Sequence, residues 1–492
     1  MIGRKTLAAF AAVALVGALA LMPAASGAQV TTSVPYTGTL AVDGATWVAD
    51  IPTPWNGTVL LYSHGFGPLV AADAPDPVTK QALLDRGYAL AGSSYDPNGS
   101  WWALDSAVRD QFDTLNAVDQ LLPSRPRHVI AVGTSMGGLI SELEDENSNG
   151  RLNGALTTCG IVAGGINLNN YQLDGEYAMT QLLPNTSGGP VELVNFQDNP
   201  GLGLQSGEQL TTIAQSAQNE APLRGRKVSA GVARLSLAMS LMNVADWAPG
   251  AAMPSPFDAG AQEVGQYDIE FAPSGPPPLS TTMDFVEFGR PYIDMADGGG
   301  SASWTKGVNF GRLLYESSYA PEVISLYREA GLDLNRDLDQ LTRNANITGD
   351  PAAVRSLEST SVPTGRIQVP ELDMHTISDQ LVPVQQENYY RDTVAFAGRS
   401  QLLRQAFVQR QLHCNFEPSE LVAGVLAVQQ RVDTGQWGSV ATPQALEASA
   451  TSLANNDPTL GTPAIIPFFP PPLSGNNGPF DPFTGGSYPF PW

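Results

Sequence analysis

Ser135 is the side chain whose setting most invites chemistry. It sits in Gly133-Thr134-Ser135-Met136-Gly137-Gly138, directly after the apolar run His128-Val129-Ile130-Ala131-Val132. The order is strand, glycine-pinched turn, helix start. Such a turn pushes a serine hydroxyl out at the top of a parallel sheet. The chemistry on offer is attack on a carbonyl carbon through an acyl intermediate. The pattern alone is weak: glycine supplies 49 of 492 residues, so GxSxG arises readily by accident. Partners elsewhere in the chain must support it.

A serine hydroxyl is a poor nucleophile at neutral pH. It needs an imidazole to take its proton and a carboxylate to orient that imidazole. The chain has four histidines. His64 lies at a strand end in Ser63-His64-Gly65-Phe66-Gly67, where it fits a loop-holding role. His128 enters the Ser135 strand at the wrong end of the sheet. His375 lies within a strand and fits packing better than catalysis. His413, in Leu412-His413-Cys414-Asn415-Phe416, falls in a loop after the last core strand and is the best base. The order serine, acid, histidine places the acid at Asp379, in Ser378-Asp379-Gln380-Leu381-Val382-Pro383. Competing readings are a buried core histidine for His413 and a turn cap for Asp379. Asp373, inside the strand, is the substitute acid.

The negative oxygen of a tetrahedral intermediate needs preset N–H donors. The Met136 amide, at the helix start, is one. The Phe66 amide, in a loop whose glycines allow close approach to substrate, is the other. Met136 and Phe66 are therefore the predicted oxyanion hole.

Alternating elements must position these groups. Tyr36–Ile51 reads as a hairpin with a turn at Asp43-Gly44. Thr58–Ser63 is a buried strand. Asp76-Pro77 starts a helix that Gly87 ends. Tyr88–Ser94 is a strand, Asp105–Leu122 a helix by its apolar stripe, and Leu152–Val162 a short strand. This alternation implies a mostly parallel sheet with helices on both faces. It stops for residues 165–365, which are rich in helical stretches and Pro/Gly joints, and resumes at Ile367. Residues 165–365 read as one helical insertion, a lid over the site; a separate domain is the competing reading. Val228–Val244 carries a Met-containing apolar face (Met239, Met242), more often plain core than a substrate surface.

The expected organisation is a signal peptide over 1–28, core over 29–164, the insertion over 165–365, core again over 366–457, and a Pro/Phe-rich tail over 458–492. The signal rests on Arg4 and Lys5, the apolar run Leu7–Leu21 and small residues at Ser26-Gly27-Ala28; a single membrane anchor is the alternative. No later segment is apolar enough to span a bilayer. The protein is expected to be secreted. The tail is expected to lie along the domain surface, with wall contact as the sharper alternative. Net charge is −23, and −25 without Arg4 and Lys5. That acidity argues against nucleic acid and anionic membrane as partners. Asp145–Gly150 and Asp333–Asp337 imitate calcium loops, but the first has Leu156 where a glutamate should close it and the second lacks the required glycine. No metal and no cofactor is expected.

Together the HG loop, GTSMGG, SDQLVP and LHCNF resemble the α/β-hydrolase fold over roughly residues 33–164 and 366–436. The resemblance implies a secreted bacterial serine hydrolase, with a large mainly helical lid inserted in the sheet-and-helix core. Ser135 would attack, His413 shuttle the proton, and Asp379 orient His413. Cys414 beside the histidine resembles the tannase and feruloyl esterase group, where it pairs with a cysteine directly before the serine. Here Thr134 occupies that place, so tannase activity does not follow. The other cysteine is Cys159, at the end of the following strand. Strand ends converge on the site in this fold, so a Cys159–Cys414 disulfide is expected, with two buried thiols as the alternative. The implied partner is a small-molecule carboxylic ester with a bulky or aromatic acyl group, acted on by a monomer. An aryl amide of phthalyl type is the second reading, and a non-catalytic binding protein on a hydrolase scaffold the third.

Overall fold

The computed structural model describes residues 32–475. The expected signal peptide and the last part of the tail lie outside the described residues. One nine-stranded sheet runs in the order β1-β2-β4-β3-β5-β6-β7-β8-β9. The strands are β1 (Thr32–Thr39), β2 (Thr46–Thr53), β3 (Thr58–Ser63), β4 (Ala89–Ser93), β5 (His128–Thr134), β6 (Gly154–Thr158), β7 (Glu371–Ser378), β8 (Leu403–Gln411) and β9 (Ile465–Ile466). From β4 to β8 all neighbours are parallel; β1, β2 and β9 add antiparallel edges. Residues of β3 and β4 are buried throughout, as expected for strands covered on both faces.

Helices α1 (Pro77–Leu84), α2 (Ala107–Asp119) and α3 (Met136–Glu146) fall between the early strands. Asp76 caps α1 by accepting from the amides of Val78 and Thr79. The first hairpin differs from the expectation. Thr39 pairs with Thr46, so the connection is the six residues 40–45 rather than a two-residue turn at Asp43-Gly44. Leu40 and Ala45 bury their side chains and bond through Leu40 N–H and the Ala45 carbonyl, a packing gain that a tight turn would forfeit. The strand expected over Leu152–Val162 is only Gly154–Thr158. Cys159 has φ of +45° and turns out of the ladder.

Between β6 and β7 come helices only: α4 (Gly165–Leu182), α5 (Pro200–Gln218), α6 (Ala230–Leu241), α7 (Ala259–Phe271), α8 (Thr282–Ala296), α9 (Phe310–Glu316), α10 (Ala320–Ala330), α11 (Leu334–Asn344) and α12 (Pro351–Ser361). Met239 is fully buried, in line with the core reading of that face. The insertion's buried residues form one cluster with Met136, Leu139 and Ile140 of α3, so its core is continuous with the helix that follows Ser135. Then come α13 (Gln385–Phe396), α14 (Pro418–Thr434) and α15 (Pro443–Asn456).

After β9 the chain crosses from the sheet edge to the insertion. Phe468 packs on Phe407 of β8, and the Pro470 carbonyl accepts from Asn388. Ser474 is fully buried. Its amide donates to Asn243 Oδ1 (2.9 Å), its carbonyl accepts from Asn243 Nδ2, and its hydroxyl donates to the Leu313 carbonyl (2.6 Å).

The two calcium-loop imitations are structural. Asp145 accepts from the amides of Gln368 and Val369, and Asp333 caps α11 at the Arg336 amide.

Candidate active site

The turn after β5 holds Ser135 at φ +62°, ψ −127°, backbone space that a side chain enters only under constraint. Two glycines make the constraint possible. A Cβ on Gly133 would lie 1.9 Å from the Gly137 carbonyl oxygen, and one on Gly137 would lie 1.9 Å from the Ser63 carbonyl oxygen. The helix therefore sits against the strands more closely than any side chain allows, and the serine amide is fixed by the Thr158 carbonyl at 3.0 Å.

The loop after β8 brings His413 to this turn. Its Nε2 lies 2.7 Å from Ser135 Oγ, and its Nδ1 lies 2.7 Å from Asp379 Oδ2. In the loop after β7, Asp379 Oδ1 accepts from the amides of Leu381 and Val382, both at 2.9 Å. Burial works against the charge on Asp379. The His413 imidazole, the hydrogen bond to it and the nearby His375 outweigh burial, and the carboxyl stays below its usual range. A carboxylate accepts only, so Nδ1 carries the proton and Nε2 is left to accept from the Ser135 hydroxyl.

Cys159 and Cys414 are bonded. Leu412 and Cys414 have φ of +75° and +53°, so the histidine stands between two residues in left-handed backbone. Cys414 Sγ is 3.2 Å from His413 Nε2; a disulfide sulfur has no proton to give, so it does not compete with Ser135.

The loop after β3 lies against the serine: a Cβ on Gly65 would be 3.0 Å from Ser135 Cβ. His64 stacks on Tyr95 (4.3 Å), and its Nδ1 donates to the Gly65 carbonyl. The amides of Met136 and Phe66 take no part in the turn, loop and cap hydrogen bonds of the described residues.

Of the remaining candidates, His375 lies beside Asp379, its Nε2 3.6 Å from Oδ2, and the others lie apart. His375 is fully buried between Glu387 Oε1 (2.7 Å) and the Val382 carbonyl (2.8 Å). Asp373 is buried beside Gln405, and His128 faces Asp433 at the other end of the sheet.

A cavity of about 320 Å³ opens on Ser135 and His413. Sequence reasoning missed most of its wall: Trp102, Ile161, Leu168, Gln172, Phe285, Val286, Arg290 and Ile293. The aromatic spacing Phe285, Phe288, Tyr292 on α8 was the one available signal. Phe66 meets Phe285, Tyr292 and Trp101 edge-on (5.5–6.1 Å), and Trp101 stacks flat on Tyr292 at 4.6 Å. Arg290 is the charged group in the wall. Its guanidinium holds both oxygens of Glu176 (2.6 and 2.8 Å) and Glu287 Oε1 (3.0 Å), so its charge is already matched.

A parallel sheet with a serine at its strand-to-helix turn, a histidine and a carboxylate at later strand ends, and a helical insertion above define the class: the chain is a serine hydrolase with the α/β-hydrolase fold. No family model matches it. It is 26% identical to o-phthalyl amidase of Xanthobacter agilis over 414 residues, 81% of this chain and 87% of that one. Among solved structures it is similar to feruloyl esterase B from Aspergillus oryzae (12% identity, TM-score 0.42, 82% of this chain and 81% of that one). It is also similar to the acylaminoacyl peptidase of Pyrococcus horikoshii (10% identity, TM-score 0.33, 79% of this chain), of which it spans only 38%.

Proposed function

We propose that Ser135 is the nucleophile, His413 the general base and then acid, and Asp379 the residue that orients His413. The observation that carries this is the unbroken chain Asp379–His413–Ser135, with 2.7 Å at each link, opening on an apolar cavity. Nε2 takes the hydroxyl proton as Oγ bonds to the substrate carbonyl carbon. The amides of Met136 and Phe66 hold the resulting oxyanion. Nε2 then protonates the leaving group, the carbonyl re-forms, and an acyl-serine remains. Water repeats the sequence and releases the acid.

The substrate class is a small carboxylic acid derivative with a bulky or aromatic acyl group. Support comes from the aliphatic and aromatic wall and from an Arg290 already paired. Esters are the first reading. The amidase relative favours the second, aryl amides of phthalyl type, which asks His413 to protonate a poorer leaving group. The insertion acts as the lid. The disulfide favours an oxidising compartment and hence export. No helix among the described residues is long and apolar enough to cross a membrane. We read the protein as a monomer.

The test is labelling with a serine-directed phosphonate, followed by mapping of the adduct. Nitrophenyl esters and nitroanilides of the same acids are then compared, with Ser135→Ala as control. An adduct on Ser135 with turnover is expected. The two substrate types divide esterase from amidase, and neither adduct nor turnover would leave a binding scaffold.

A further inference from the structure

Next to the main cavity lies a second one of about 20 Å³, enough for one water-sized group. Gln172, Val286 and Leu381 wall both, so the two spaces share a partition of side chains. Both cavities are mainly apolar, but the small one brings several buried polar side chains together. Glu270, at the end of α7, lines it and is buried, and burial is what acts on its carboxyl. Gln380, the neighbour of Asp379, lines it too, and its Oε1 is buried and unpartnered. The Tyr171 hydroxyl accepts from Gln386 Nε2 at 3.1 Å, so its own proton remains to be placed. Buried polar groups without partners are costly and rare in native proteins, and each asks for an explanation. The rest of the lining, Met242, Val244, Met283 and Pro383, offers them nothing.

We propose that this cavity is the far end of the acyl site, and that Glu270 and Gln380 receive a hydroxyl or amino substituent carried by the acyl group. The proposal rests on the serine-hydrolase reading above. The Gln380 oxygen is an acceptor, and the Glu270 carboxyl keeps an acceptor oxygen in either protonation state, so their natural complement is an O–H or N–H donor small enough to replace one water. Burial raises the Glu270 carboxyl to about 8, so near neutral pH it is mostly protonated and can both give and take a hydrogen bond. An acyl ring that reaches this space without such a donor would leave the Gln380 oxygen unpaired. A site built around buried acceptors discriminates against an analogue that lacks the donor, because the loss leaves the protein's own groups unsatisfied.

The experiment uses nitrophenyl esters of benzoic acids carrying hydroxyl, amino or methyl at the 3- or 4-position. Each kcat/KM is divided by the ester's rate of alkaline hydrolysis, which removes the electronic effect of the substituent. The wild-type protein should favour hydroxyl over the near-isosteric methyl by about tenfold at one position. Glu270→Leu should bring that ratio to one or below, and Glu270→Gln should fall between. The ratio cancels any general loss of activity in a variant. If Glu270→Leu does not fold, the wild-type ratio and Glu270→Gln still decide. A wild-type ratio near one, or a ratio unchanged in the Glu270 variants, overturns the subsite alone. Hydrolysis of none of the esters by wild-type protein removes the hydrolase reading and the subsite with it.

Discussion

The sheet and the helical insertion build their halves of the site by different means. On the sheet side, Ser135, Asp379 and His413 hang from the ends of three strands, and backbone holds each one. Ser135 is fixed by the hydrogen bond that its N–H donates to the Thr158 carbonyl and by glycine contacts. Asp379 accepts from two amides of its own loop, and His413 is flanked by left-handed residues and a disulfide. On the insertion side, Phe285, Val286, Arg290 and Ile293 are held by side-chain packing of α8 against Phe66 and Trp101 and by the Arg290–Glu176 pair. Backbone geometry fixes reacting atoms with little tolerance. Side-chain packing can be re-cut by substitution, so on the proposed reading the wall would be where the acyl group is chosen.

The widest break should therefore separate kcat from KM. Ser135→Ala is expected to lower kcat by about 10⁴-fold or more with folding intact, because the remaining groups act only through the serine. Phe285→Ala should leave most of kcat and raise KM for a benzoyl ester by about tenfold, the scale of lost apolar contact in a pocket. Steady-state kinetics on acetyl and benzoyl esters read both. A collapse of kcat on the acetyl ester in Phe285→Ala would erase the division.

The disulfide tests the sheet side next. It joins residues 255 apart, and the chain-entropy account of so long a loop gives an upper value of about 5 kcal/mol. Reduction, or Cys159→Ala with Cys414→Ala, should lower Tm and also kcat, since Cys414 is the residue after His413. KM should move less. Thiol alkylation in the native protein together with full activity would show that the His413 loop needs no such pin.

Buried carboxyls set a pH window that the two regions share. Burial, opposed by the Ser63 hydroxyl at 2.8 Å, holds Glu144 under the Ser135 turn at about 8. Glu387 beside His375 is raised to about 7, mainly by burial. In the insertion, burial raises Glu263 to about 7 and Asp297 to about 8. A carboxyl whose folded value lies above its unfolded one favours the folded state fully below the unfolded value. That contribution is lost as pH rises through the folded one. Tm should accordingly fall between pH 5 and pH 8.5, in calorimetry at constant ionic strength. A flat or rising Tm across that window would show that these carboxyls are ionised in the native protein.

What the sequence revealed follows the same division. The loops at Gly65, Ser135, Asp379 and His413 are legible because each comes straight after a strand, with β3 and β5 marked by apolar runs and β7 and β8 by apolar residues interleaved with polar ones. The elements from Gly165 to Ser361 are all helices, the class that the Pro/Gly-jointed stretch suggested. Which helix faces the serine is not. Helix α4 is buried on almost every side, so no stripe marks the face toward Leu168 and Gln172. The Arg290–Glu176 pair spans 114 positions, and Glu270 looks like any surface acid at the end of an amphipathic helix until the fold buries it. Turn chemistry misled at Asp43-Gly44 because the burial of Leu40 and Ala45 decides that loop.

The smallest expected effect concerns how the two regions are tied. Ser474 leaves the sheet edge and enters the insertion, where Asn243 both donates to its carbonyl and accepts from its amide. Asn243 itself has φ of +58°, a conformation that asparagine tolerates better than most residues. Alanine there would keep the helix end but lose both bonds and add backbone strain, a cost of about 1–3 kcal/mol. If the strap holds the pocket wall in place, Asn243→Ala should lower Tm by a few degrees and raise KM for bulky acyl esters, with kcat on an acetyl ester nearly unchanged. Ser474→Ala, which removes only the bond to Leu313, should do the same more weakly. Equal Tm losses with no change in KM would mean that the strap stabilises the molecule without shaping the pocket. A matching loss of kcat on the acetyl ester would mean that the wall and the reacting groups move as one body. The contrast between a backbone-held and a side-chain-held half would then have to be withdrawn.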